Sequence, residues 1–205
     1  MAHDRVLLVR HGQTEYNSAH RWQGHVDIPL NETGRMQAKA AGAALVAAGE
    51  QPTRVVSSDL MRAVDTARVI AECFGLGVQP DPQLREVNAG NWEGKTKQEI
   101  LRLWPQEYHD WYAGKDVAVG RGERISAAAQ RGAQAVLRHV EQGSGTLLVV
   151  AHGGMLRGAL QLILGLEFGQ LPVGVVGNGH WGVLFMGRNG AWRLESWNVG
   201  PPAVG

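Results

Sequence analysis

The sequence predicts an α/β fold, a three-layer α/β/α sandwich with a mostly parallel sheet. Three observations carry this. Two short Leu/Val runs, Arg5–Arg10 and Thr146–Ala151, have no polar alternation and read as strands buried on both faces. Strand-like and helix-like stretches alternate along the chain. The helix-like stretch after residue 60 is apolar along one face, as a helix covering a sheet must be. Both Leu/Val runs also end in His-Gly, as His11-Gly12 and His152-Gly153. Ligands of open α/β sheets bind beyond the carboxyl ends of the strands. The two histidines are therefore expected at one crevice, one as a nucleophile for phosphoryl transfer and the other as a charge stabiliser.

The elements follow in order. Residues 5–10 are the first strand, and the alanine-rich stretch from Thr33 to Ala48 is a helix that closes at Gly49. Residues 53–57 form a short strand, and Asp59 is expected to cap a helix to Phe74. Leu60, Ala63, Val64, Ala67, Ile70, Ala71 and Phe74 line its buried face, and Gly75 occupies the C′ position. A strand is expected at 77–80, and 96–112 reads as helix interrupted at Pro105. Gly114–Gly122 reads as loop, Glu123–Glu141 as helix, 146–151 as the second buried strand and Gly154–Leu164 as an apolar helix. Strands at 180–187 and 191–197 flank Arg188-Asn189-Gly190, a hairpin signal.

The 205 residues fit one domain spanning 1–205, and 44% apolar with 19% charged residues describes an ordinary globular chain. A formal charge of +1 excludes a strong field for nucleic acid or membrane. Cys73 is the only cysteine, so no intrachain disulfide can form, which fits a reducing compartment. Met1-Ala2-His3-Asp4 does not open a signal peptide, and no apolar run approaches the ~20 residues of a membrane span. A cytoplasmic location is the expectation.

A phosphate monoester carries close to two negative charges and needs fixed cations and donors around it. Arg10 precedes His11, and Gly12 lets the backbone come close. Arg62 falls in the first turn of its helix, an end that favours anions, and His152-Gly153 marks a second strand-to-helix junction. Neighbouring cations keep a nucleophilic histidine neutral. Glu86, in the loop segment Leu84-Arg85-Glu86, is the candidate proton donor for the leaving alcohol.

These segments resemble the histidine phosphatase, or phosphoglycerate mutase-like, superfamily. The likeness runs in order through LLVRHGQTEYN (7–17), WQGHVDIPLNETGRMQA (22–38), SSDLMRAVDTA (57–67), LREVNAGNWEGKT (84–96) and VVAHGG (149–154). It implies the fold of that superfamily, a phosphorylated His11, and Arg10, Arg62 and His152 gripping the phosphoryl oxygens. It also implies Asn17 as a phosphate ligand, Glu86 as acid and then base, and Gln23, Gly24 and Gly153 completing the pocket. The implied mechanism is covalent, with a small phosphorylated metabolite as substrate and neither metal nor cofactor. Proteins of this family often pair, so a homodimer is a further expectation.

Mutases of the family carry a lysine at the place of Lys97 and then an adjacent arginine pair. Between residues 100 and 125 this chain has only Arg102, Lys115, Arg121 and Arg124, with no such pair. That departure favours a phosphatase, with a cofactor-dependent mutase as the alternative. The tail GNGHWGVLFMGRNGAWRLESWN (177–198) resembles that of actinobacterial glucosyl-3-phosphoglycerate phosphatases.

Plainer readings stand beside these. Taken singly, a histidine after a strand is a satisfied structural residue, Arg62 a solvated helix residue and Glu86 a surface carboxylate. Lys97 reads as a solvated helix residue, and Trp22 and Trp92 as apolar rim. His3, His20, His25, His109, His139 and His180 lack metal-ligand spacing, although His20 or His25 is placed to touch the rim. Ala89–Thr96 loosely matches a phosphate-binding P-loop, the remote alternative, but follows a polar stretch instead of a strand.

Overall fold

The computed structural model describes residues 2–167 and 169–201. Met1, Phe168 and residues 202–205 of the expected domain lie outside the described residues. One sheet contains β1 (His3–Arg10), β2 (Pro52–Ser57), β3 (Val78–Pro80), β4 (Gly145–Ala151), β5 (Trp181–Met186) and β6 (Trp192–Val199). Its order is β3-β2-β4-β1-β5-β6. The first four in that order run parallel, and the β5–β6 hairpin adds antiparallel beside β1.

The two Leu/Val runs are the central strands. In β1, Val6 and Leu8 face one core while Leu7 and Val9 face the other. Leu147, Val149 and Ala151 alternate in the same way with Leu148 and Val150 along β4. Each such side chain contributes roughly 1.5–3 kcal/mol by burial, which is why two helical layers are needed to cover the sheet. The short α1 (Glu15–Ser18) follows β1; α2 (Glu32–Ala47) and α3 (Met61–Glu72) cover one face. The helices α4 (Lys97–Leu103) and α5 (Pro105–Tyr112) lie off the sheet, and α6 (Ile125–Glu141) and α7 (Gly153–Ile163) cover its second face. Among the described residues no helix is long and apolar enough to cross a membrane.

Helix ends follow local chemistry. The Asn31 side chain accepts from the Gly34 N–H and caps α2. Gly75, at φ 66°, closes α3 as expected: its N–H donates to Glu72 O and that of Leu76 to Ala71 O, a Schellman pair. The expected Asp59 cap does not form. Leu60 is the N-cap and makes no side-chain cap bond. The Asp59 carboxylate instead takes both Nε (2.7 Å) and Nη2 (2.6 Å) of Arg85, a bidentate pair that a helix amide cannot match. Asp27, from a distant loop, accepts the Met61 N–H at 2.7 Å in its place. The sixth helix begins at Ile125, two residues later than Glu123, because the Glu123 backbone is bonded to the loops: its N–H donates to Asn88 O at 2.8 Å and its carbonyl accepts from Val119 N at 3.0 Å. Helix α1 was not expected; Thr14 and Asn17 form a capping box around its single turn.

Candidate active site

The β1–β4 register pairs Arg10 with Ala151, so His11 and His152 follow side by side. Their ring centroids are 5.1 Å apart at 61°. They stand in a cavity of about 540 Å³ that Arg10, Asn17, Gln23, Gly24, Arg62, Glu86 and Gly153 also line. All nine residues expected at the site are thus brought together.

His11 is buried, and its Nδ1 lies 2.6 Å from Gly12 O. A carbonyl only accepts, so Nδ1 carries the proton and the lone pair is left on Nε2. Burial, and then Arg62 and Arg10, push its pKa well below 6.5. Burial, then Arg62 and His11, do the same to His152. Both rings are therefore neutral near pH 7. Neither ring nitrogen of His152 has a hydrogen-bond partner among the described residues.

Arg62 is fully buried. Its Nη1 donates to Val26 O and its Nη2 to Gly24 O, both at 2.8 Å. Burial pushes its pKa down to about 10. Thr66 donates to Arg62 O (2.7 Å) and accepts from Gly12 N (3.0 Å), tying α3 to the His11 turn. Arg10 Nη1 donates to Val176 O at 2.8 Å, and burial lowers its pKa too. No carboxylate pairs with either guanidinium among the described residues, and each Nε is buried without a partner. Two desolvated cations beside two neutral histidines make an arrangement whose charge an anion would complement.

The remaining donors are oriented by their other ends. Asn17 Oδ1 accepts from Thr14 N (3.1 Å), which leaves Nδ2 to donate. Gln23 Oε1 accepts from Thr14 Oγ1 at 2.9 Å, which leaves Nε2. Gly24 has φ 53°, and a Cβ there would collide with the Glu93 carboxylate. A Cβ on Gly153 would collide with Val175 and crowd Arg10. The Glu86 carboxylate lies against the start of α7. Its Oε2 accepts from Gly154 N (2.9 Å), and its Oε1 from Met155 N (2.7 Å) and Val87 N (3.0 Å).

Some expectations need correcting. Trp92 is not rim: it is fully buried in an off-sheet cluster with Ile100 and Tyr108. Trp22 does line the cavity, and its ring centroid lies 5.0 Å from that of Trp111. Lys97 does not line the cavity; its Nζ lies 5.8 Å from the Tyr108 ring centroid and 5.9 Å from that of Tyr112. His25 Nε2 bonds Glu86 O at 2.8 Å, and His20 lines a shallower neighbouring depression. Sequence reasoning missed Trp111, Lys115 and Arg157, which also line the cavity. Arg157 had a readable signal, since it falls one helical turn after Gly153. In the segment resembling a P-loop, Gly90–Trp92 forms a single 3₁₀ turn whose Trp92 is buried. Among the described residues no group of three or more His, Cys, Asp or Glu is placed to hold a metal ion.

The family model for the histidine phosphatase superfamily (branch 1) matches residues 6–200. The chain belongs to that superfamily. The chain is 37% identical to a glucosyl-3-phosphoglycerate phosphatase of Mycolicibacterium vanbaalenii, across 95% of this chain and 94% of the relative. It is 34% identical to a metal-independent phosphoserine phosphatase of Arabidopsis thaliana, across 94% and 80%. The solved structure of a mycobacterial glucosyl-3-phosphoglycerate phosphatase with VO3 superposes with a TM-score of 0.87 at 35% identity, covering 96% of this chain and 99% of that one.

Proposed function

We propose that this phosphatase hydrolyses a small phosphomonoester through a phosphohistidine at His11, without a metal, and that glucosyl-3-phosphoglycerate is its leading substrate. The observation that carries the reading is the neutral, buried His11 whose Nε2 lone pair faces a cavity with two arginines free of carboxylates. In the first step Nε2 bonds to phosphorus while the bond to the leaving oxygen breaks, and Glu86 gives that oxygen its proton. In the second step water attacks phosphorus, Glu86 takes the water proton, and the P–N bond breaks to release phosphate. Arg10, Arg62 and His152 stabilise the charge on the transferring oxygens, helped by Asn17, Gln23 and the backbone around Gly24 and Gly153.

Two features support glucosyl-3-phosphoglycerate: the 37% likeness to phosphatases of that name, and the tail 177–198. A phosphatase is favoured over a mutase because Lys97 is engaged with two tyrosine rings away from the cavity. The reading further places the enzyme in the cytoplasm as one domain that pairs with itself and binds neither nucleic acid nor membrane. Its lone cysteine and near-zero charge fit that placement.

The test is turnover with glucosyl-3-phosphoglycerate and other sugar and glycerate phosphates in excess EDTA, with acid-labile phosphohistidine trapped by quenching. Undiminished rates in EDTA and a trapped intermediate are expected. His11→Ala loses several powers of ten in kcat. A strict Mg²⁺ requirement, or near-normal turnover by His11→Ala, overturns the mechanism.

A further inference from the structure

The cavity holds more cations than a phosphoryl group needs, and their partners separate them into two sets. Arg21 is paired with Glu99 at 3.0 Å, and Lys115 with Asp110 at 2.6 Å. Arg157 has no carboxylate partner among the described residues. Its Nε donates to Val173 O (2.7 Å) and its Nη2 to Leu171 O (3.3 Å), so only backbone carbonyls hold it. Arg10 and Arg62 are held in the same manner: their guanidiniums donate to backbone carbonyls and make no direct ion pair with a carboxylate among the described residues. A third lining arginine shares the anchoring of the phosphate grip.

Its position sets it apart from that grip. Arg157 follows Gly153 by four residues on one face of α7, a rise of roughly 6 Å. Val175 packs over Gly153 and lines the cavity with Arg157, and Trp22 and Trp111 also line it. At about 540 Å³ the cavity has room for a leaving group as well as a phosphate. An anion on that leaving group would find a guanidinium already oriented and without a competing carboxylate.

We propose that Arg157 is a specificity-determining residue that binds a carboxylate on the leaving group, so that the enzyme prefers phosphomonoesters of hydroxy acids to those of neutral alcohols. This rests on the phosphatase reading above. Two substrates isolate the carboxylate: 3-phosphoglycerate, and glycerol 3-phosphate with a hydroxymethyl group in its place. The wild type is expected to favour 3-phosphoglycerate in kcat/KM by about 10- to 100-fold, the range of a hydrogen bond to a charged group. In Arg157→Met that preference collapses, mostly through KM for 3-phosphoglycerate. The loss on glycerol 3-phosphate is at least ten times smaller. Arg157→Lys keeps the charge but not the fork and retains part of the preference.

Equal losses on both substrates in Arg157→Met would mean that Arg157 only anchors the 171–173 segment, and would overturn the proposal. So would a wild type with no preference, or a preference that survives in Arg157→Met. Those outcomes leave the phosphatase reading standing. A wild type that hydrolyses no phosphomonoester at all overturns both.

Discussion

Replacing Glu86 by Gln separates two things that this carboxylate does. In the free enzyme it accepts three backbone N–H groups, from Val87, Gly154 and Met155. A Gln oxygen in the place of Oε1 keeps the first and third, but its NH₂ then opposes the Gly154 N–H. A stranded N–H costs about 1–3 kcal/mol, and the exposure of Gly154 places this one at the low end, since water reaches it. About 1 kcal/mol in a chain of this size lowers Tm by roughly 2–4 °C. The variant therefore folds, and its activity can be read.

The chemical effect is larger. Removing a positioned acid costs roughly 10²–10⁴-fold where the leaving group needs a proton, as an alkoxide does. It costs far less with p-nitrophenyl phosphate, whose phenolate leaves without help. The assay compares kcat/KM of wild type and Glu86→Gln on an alkyl and an aryl phosphate, with single-turnover rates to confirm that enzyme phosphorylation is being read. The alkyl loss should exceed the aryl loss by about 10²-fold or more. Equal losses in that step would refute Glu86 as the acid and leave it only a structural brace for α7.

Two further outcomes are expected. The ring nitrogens of His11, observed by NMR, should keep the shifts of a neutral imidazole at pH 6, and a charged ring there would refute the lowered pKa; because both His11 and His152 titrate below 6.5 when folded, their contribution to stability is complete above pH 6.5 and lost as pH falls toward the folded values, read as a falling urea midpoint. Lys97→Met should leave hydrolysis unchanged and cost at most about 1 kcal/mol of stability from the two cation–π contacts of an exposed lysine; a rise in KM for 3-phosphoglycerate, or rapid conversion to 2-phosphoglycerate stimulated by 2,3-bisphosphoglycerate in the wild type, would favour the mutase alternative.

Sequence legibility followed the range of the forces involved. The central strands and the C-terminal ends of α2 and α3 are governed by burial and by glycine backbone freedom, both local signals, and were readable. The Asp59 cap failed because a partner 26 positions away, Arg85, offered a bidentate bond. Trp92 was misplaced for a similar reason: a tryptophan in a site loop carries no mark of whether it faces ligand or core. The motif residues converge because β1 and β4 are adjacent, and the Leu/Val runs could identify these strands without ordering them. The spacing of Arg157 from Gly153, one helical turn, was readable, but the lack of a carboxylate partner that distinguishes it is defined only by the folded chain.

The arrangement of Arg62 implies one more measurable consequence. Its pKa near 10 corresponds to a cost on the order of 3 kcal/mol for holding the cation out of water. The two carbonyl bonds from its Nη atoms offset part of this, but its Nε and that of Arg10 stay buried and unpartnered. A bound phosphate supplies acceptors and opposite charge together, so the strain of the free site becomes affinity for the anion. At phosphate concentrations about 100 times Kd the fold gains about 2.7 kcal/mol. For a domain of this size that is a rise of roughly 5–10 °C in Tm. Arg62→Met removes the buried charge and the grip together. Its fold without phosphate should lie within about 3 kcal/mol of wild type, because removal of an unpaired buried charge offsets the loss of the bonds to Val26 O and Gly24 O. Its phosphate-induced rise, measured by calorimetry at the same concentrations, should nearly vanish. An undiminished rise in Arg62→Met would show that the anion is held elsewhere, and a wild type that phosphate fails to stabilise would show that the desolvated arginines are not an anion site.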